Sequence, residues 1–132
     1  MRRLLTGALA LWLVAAGLLA GASAVTAAAP GFAGTWASID TDGSTQGLAV
    51  GRGANPAVTY LDFYASTCVA DGAPAQFVAS GRGTVDGDSV WVDFRNGGCG
   101  RHRIGPFGLA FEYDAASDTL TDGFGITWFR YP

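Results

Sequence analysis

Lysine is absent from the 132-residue chain, and histidine and glutamate occur once each, as His102 and Glu112. These scarcities remove whole classes of chemistry. A histidine–cysteine metal centre lacks ligands at usable spacing around either of the two cysteines, so no metal or other cofactor is expected. A paired-carboxylate hydrolase would have to recruit an aspartate from a turn to stand beside Glu112, and no Gly-x-Ser-x-Gly elbow is present to hold a nucleophilic serine. Charge is scarce too, at 14% of residues, with eight arginines against eleven carboxylates for a net −3. So few cations cannot neutralise a run of phosphates, which excludes nucleic acid as a partner.

Apolar length is in excess at the start. Leu4 to Ala22 carries no charge and follows Met1-Arg2-Arg3, the charge-then-apolar order of an export signal. Ala22-Ser23-Ala24 puts small residues where a signal peptidase needs them, so residues 1–24 are expected to be a signal peptide, with Ala27-Ala28-Ala29 allowing a cut as late as 29. A run of about 20 apolar residues could also stay as a membrane span, but this one fades into Ala, Gly, Ser and Thr. Cleavage is the expectation, leaving no stable membrane anchor and one domain over 30–132 in a secreted or periplasmic setting. That body keeps six arginines against eleven carboxylates, a net of about −5. In an oxidising compartment Cys68 and Cys99, the only cysteines, are expected to form one disulfide. The closed loop of 32 residues would be worth roughly 3.5–4 kcal/mol on the chain-entropy model.

From Phe32 onward no helical period appears. Short apolar or alternating runs at 32–39, 46–51, 57–66, 76–85, 89–95, 104–114 and 119–131 are broken by Gly, Asp, Asn and Pro clusters, which is an all-β signature. Val90, Val92 and Phe94 alternate with Trp91, Asp93 and Arg95; Phe107, Leu109, Phe111 and Tyr113 alternate with Gly108, Ala110, Glu112 and Asp114. One face is therefore core and the other wet. Asp86-Gly87 suits a tight hairpin and Asp114 to Asp118 a longer one. Asp40-Thr41-Asp42-Gly43-Ser44 reads as a hairpin turn in preference to a calcium loop, since the later acidic ligand is missing. No connection is long enough for a helical crossover, so the fold class is an antiparallel up-and-down meander of seven or eight strands, the last run being one bent strand or two. Cys68 and Cys99 then follow the third and fifth strands and lie at the same end, as a disulfide requires.

Gly34-Thr35-Trp36 opens the first strand and Trp128-Phe129-Arg130 closes the last. In this the chain resembles the calycin barrels: lipocalins, fatty-acid-binding proteins and avidins. The resemblance implies a closed barrel in which Trp36 packs under Arg130 at the narrow end, with Gly34, Trp36 and Arg130 structural. The polar residues with which avidins hold biotin cannot be placed on Ser38, Asp40, Asp42 and Ser44 in consistent register, so biotin binding is not implied.

A non-enzymatic barrel binding a small, partly apolar ligand, in its interior or at the disulfide end, is the leading expectation. The candidate ligand-binding residues are the aromatics Tyr60, Phe63, Tyr64 and Trp91, and the basic cluster Arg95, Arg101, His102 and Arg103, which could form a rim for an anionic group. Ala79, Gly81 and Gly83 could either leave interior space or let a bent strand turn a corner. A secreted inhibitor or partner-binding module acting on an extracellular protein through exposed loops is the alternative, since small one-disulfide barrels opening with Gly-x-Trp occur among bacterial inhibitors of secreted proteases. A small hydrolase using His102 as base is a third. An enclosed void above about 150 Å3 would separate the first two.

Overall fold

The structure, a computed structural model, describes residues 31–65 and 75–132, with the backbone alone at 64 and 65. Among the described residues nine strands form one antiparallel sheet: β1 (Gly34–Ile39), β2 (Thr45–Val50), β3 (Ala57–Ala65), β4 (Ala75–Asp86), β5 (Ser89–Cys99), β6 (His102–Ile104), β7 (Phe107–Asp114), β8 (Thr119–Asp122) and β9 (Thr127–Tyr131). The order β4-β3-β2-β1-β9-β8-β7-β5, with β4 also paired to β5, closes eight of them into a barrel. The ninth, β6, hangs on the end of β5. The meander expected from the alternation is therefore present, and the run at 119–131 is two strands.

Two details differ from that expectation. The fifth strand continues past Arg95 to Cys99, through a bulge at which Ser80 pairs with Asn96 but Gly81 pairs with Phe94, leaving Arg95 as the extra residue. And 104–114 is not one strand, because the chain breaks at Gly105-Pro106 and His102–Ile104 fold back on Gly97–Cys99. The bulge also decides what the small residues of β4 are for. A Cβ on Gly81 would drive into the backbone carbonyl of Asp93, so the glycine turns a corner and leaves no interior space.

Hairpins join the strands as the turn residues suggested. Gly87, in the left-handed region at φ 59°, and Asp88 span the two-residue loop between the paired Asp86 and Ser89. Asp40–Ser44 close the β1–β2 hairpin, with Asp40 N donating to Ser44 O at 2.8 Å and Ser44 N to Asp42 Oδ1 at 2.9 Å.

Alternation sends Trp36, Leu48, Val58, Val90, Val92, Phe94, Phe111, Leu120 and Trp128 inward, all essentially buried. Each such side chain contributes about 1.5–3 kcal/mol by leaving water, and the rings among them pack edge to face, as Phe111 and Trp128 do at 6.0 Å between centroids. The barrel has two unlike ends. The capped end carries the start of β1 and the end of β9; the distal end carries the Asp40–Ser44 turn, Cys99, β6 and the start of β9.

At the capped end Trp36 and Arg130 are cross-strand neighbours, because closure brings the first and last strands side by side. The guanidinium lies 4.1 Å from the centroid of the indole ring. It donates to the carbonyls of Gly31 and Ala33 at 2.9 and 3.0 Å and pairs with Asp118 at 2.7 Å. The indole N–H of Trp36 donates to Phe32 O at 3.0 Å. Arg130 is on the inner face by parity, yet its side chain keeps 32% of its exposure; it is a lid on that end and not part of the core. Gly34 is required here, since its φ is 142° and a Cβ would meet the guanidinium.

Candidate functional site

The same alternation that builds the core sends polar residues inward at the distal end. From Trp36 the next inward position on β1 is Ser38; from Leu48 it is Gln46; beyond Val58 and Tyr60 on β3 it is Asp62. Register places the three in one row, Ser38 opposite Gln46 and Gln46 opposite Asp62, and all three are buried, as are Ser44 at the foot of β2 and Asp122 at the end of β8. A core built for stability alone would be apolar here, since each buried polar group costs about 1–3 kcal/mol if left without a partner.

Some of these groups are satisfied. Ser38 Oγ donates to Thr127 O at 2.6 Å. Asp122 accepts from the backbone N–H groups of Phe124 and Ile126 through Oδ1 and from the Trp128 indole through Oδ2, at 2.9, 3.0 and 3.1 Å, so its carboxylate holds the β8–β9 turn and fixes the indole. Two are not. Ser44 Oγ and Gln46 Oε1 are buried, at 5% and 2% residue exposure, and among the described residues find no hydrogen-bond partner.

Tyr60 lies beneath this row at the centre of an aromatic cluster. Its ring meets Phe77 at 5.5 Å, Trp128 at 5.6 Å and Phe94 at 6.2 Å between centroids, and Phe94 stacks on Phe107 at 4.8 Å. Tyr60, Phe77 and Phe107 are only partly buried. Burial is the main reason that the Tyr60 phenol is pushed well above its usual range, and the carboxylates of Asp62, Asp40, Asp122 and Asp42 push it further in that order. It stays a neutral hydroxyl in an electronegative surrounding.

Of the residues expected to touch a ligand, Tyr60 stands in this site. Phe63 and Trp91 do not: both lie on the outer face, and Trp91, 51% exposed, lies over Gly108 and donates to Asp93 at 3.1 Å. Their parity opposite Asp62, Val90 and Val92 sets that orientation. Arg95 is exposed at the bulge, and Arg101, His102 and Arg103 are exposed on β6 and the turn before it at the distal end; register sets His102 opposite the inward Cys99 and Arg103 opposite Gly98, so His102 has the parity of the inner face and Arg103 that of the outer one. The Tyr64 side chain, Cys68, Asp71 and the leader at 1–29 lie outside the described residues. Cys99, inward and fully buried, is not a free thiol. Ser44, Gln46, Asp62 and Asp122 were not singled out as a site from the sequence, although counting alternate residues from Trp36, Leu48, Val58 and Leu120 finds the inward positions.

The chain matches no family model, no curated protein and no solved structure. Function must be argued from the site itself. A concavity of about 870 Å3 is a groove outside the capped end between Phe32–Thr35 and the 51–57 segment. It is lined largely by backbone and small side chains, with Arg52 as its one charged group, and it lacks the convergent polar groups that orient a small ligand.

Proposed function

We propose that this is an exported, non-enzymatic β-barrel that binds a small, partly apolar ligand inside its distal end. The observation that carries the reading is the pair of buried, unpartnered oxygens, Ser44 Oγ and Gln46 Oε1, above a partly exposed aromatic floor. A few buried polar groups beside apolar and aromatic side chains are what fixes a ligand's orientation. The cap of Trp36 under Arg130, built as the calycin resemblance implies, supports a barrel sealed at one end and used at the other. No covalent chemistry is invoked; His102 is exposed on β6 at the distal end.

Native mass spectrometry of the mature chain recovered from its own source tests this. The wild type is expected to carry a small-molecule adduct that Gln46→Met loses. A wild type that arrives bare, and whose melting temperature no small molecule raises, overturns the reading.

A second reading has its own observation. On the outer wall, Phe129, Ala37, Gly47, Leu61 and Val78 are successive cross-strand neighbours on β9, β1, β2, β3 and β4. Exposed Ile39, Phe63 and Tyr131 flank them, and no charged residue has outward parity on β1, β2, β3 or β9. An apolar wall of this kind marks a protein contact, and it is a face on which two copies of an acidic chain meet without opposing like charges. Sedimentation equilibrium of the mature chain and of Leu61→Glu checks it: a dimer dissociated by the substitution is expected, and a wild type monomeric at 100 μM refutes it.

A further inference from the structure

The buried charges of the distal site are of one sign. Among the described residues they are Asp62 and Asp122, with the partly buried Tyr60 phenol beside them, Asp40 and Asp42 in the turn above, and His102 exposed on the inner face by its register with Cys99. None of the described arginines is buried there. Arg130 lids the capped end; Arg82 reaches Asn55 O beside that end; Arg52 lines the outer groove; Arg95, Arg101 and Arg103 are exposed on and beyond the bulge. The charges that push the Tyr60 phenol up are four carboxylates.

The hydrogen-bonding character points the same way. Carboxylates and the Gln46 side-chain carbonyl accept only, and Ser44 Oγ can accept as well. The two unpartnered oxygens and the carboxylates are complementary to donors. The aromatic floor adds to this, because the faces of Tyr60, Phe77 and Phe107 attract positive charge through their quadrupoles.

Resting on the reading of this end as a ligand site, we infer that the ligand is a small organic cation: an ammonium whose N–H groups donate to Gln46 Oε1, Ser44 Oγ and the Asp62 carboxylate, on a carbon body lying against Tyr60, Phe77 and Phe107. This reverses the polarity that the Arg95, Arg101 and Arg103 cluster suggested, since those arginines are exposed while the buried charges of this end are carboxylates. A carboxylate or phosphate ligand would enter a ring of like charge.

Isothermal titration of the mature chain with benzylamine, benzyl alcohol and benzoate, which share a ring and differ in charge, tests the class. Benzylamine is expected to bind at least tenfold tighter than benzyl alcohol, and benzoate not at all. Asp62→Asn is expected to weaken benzylamine fivefold or more while leaving benzyl alcohol within twofold. Should Asp62→Asn not fold, raising sodium chloride from 50 to 500 mM on the wild type gives the same separation, weakening benzylamine and sparing benzyl alcohol. Benzoate or benzyl alcohol binding as tightly as benzylamine overturns the cationic class and leaves the site standing. No binding of any of the three overturns both.

Discussion

Gln46→Met puts a number on the central observation. Gln46 is 2% exposed and its side-chain carbonyl has no partner, so the folded protein carries the cost of one desolvated acceptor, about 1–3 kcal/mol. Methionine is close in volume and length, keeps the inward position between Ser38 and Asp62, and removes that acceptor. It also forfeits the amide N–H donors, an offset of about 0.5–1.5 kcal/mol per hydrogen bond they make. The net expectation is a gain of about 1 kcal/mol in the ligand-free protein, which for a domain of about 100 residues raises the melting temperature by roughly 4–8 °C. Urea titration followed by tryptophan fluorescence measures it, with an unchanged m-value certifying that the same surface is exposed on unfolding. The same variant should lose the ligand. A substitution that stabilises while it disables identifies a residue kept for binding. If Gln46→Met instead lowers stability by more than about 1 kcal/mol, the carbonyl is well satisfied in solution and the argument for a ligand loses its foundation.

Three further outcomes follow from the geometry. Arg130 holds the Asp118 carboxyl below its ordinary value, mainly through their hydrogen bonds. A carboxylate depressed on folding contributes stability that is complete above the unfolded pKa, about 3.9, and is lost as pH falls through the lower folded value. The melting temperature of the wild type should therefore exceed that of Asp118→Asn at pH 5 and above, the gap should close below about pH 4, and a gap independent of pH contradicts the pairing. Gly81→Ala forces a Cβ into the Asp93 carbonyl and should cost about 1–3 kcal/mol by overpacking, whereas Gly105→Ala, with nothing within 4 Å of the added atom, should be neutral; equal melting temperatures for the two refute the corner role. Cys68 and Cys99 should give an intact mass about 2 Da below the reduced chain, and reduction should remove roughly 3.5–4 kcal/mol; free thiols in the purified protein would dismiss the disulfide.

What could be read from the sequence is what a period of two and turn chemistry encode. Val90, Val92 and Phe94 fix one face of β5, Asp86-Gly87 fixes a hairpin, and the Trp36–Arg130 contact follows once first and last strands are neighbours. Strand β6 escaped because its pairing is made by backbone between His102–Ile104 and Gly97–Cys99, and Asn96-Gly97-Gly98 has the composition of a loop. The site escaped for a more instructive reason. Ser38, Gln46 and Asp62 interrupt the apolar alternation at the ends of their strands, where polarity reads as an approaching turn. Hydrophobicity meanwhile nominated Trp91 and Phe63, although their parity already placed them on the wet face. Parity and polarity have to be applied together: the informative residues are those with the parity of the core and the chemistry of the surface.

The contrast between Asp122 and Gln46 sharpens this into an argument about selection. Both are inward and buried at the same end of the same barrel. Around Asp122 the chain supplies three donors, two backbone N–H groups and an indole, and the carboxylate becomes part of the architecture. The fold can therefore satisfy a buried acceptor at this depth. At Gln46 Oε1 and Ser44 Oγ it does not, and the two together cost about 2–6 kcal/mol in a domain whose whole stability is about 5–15 kcal/mol. A ligand that supplies the missing donors recovers that cost only in the folded state, so it stabilises the protein by mass action in proportion to RT ln(1 + [L]/Kd). Binding and stability are thus coupled through the same two oxygens: the substitution that frees the barrel of its burden is also the one that makes its melting temperature indifferent to ligand.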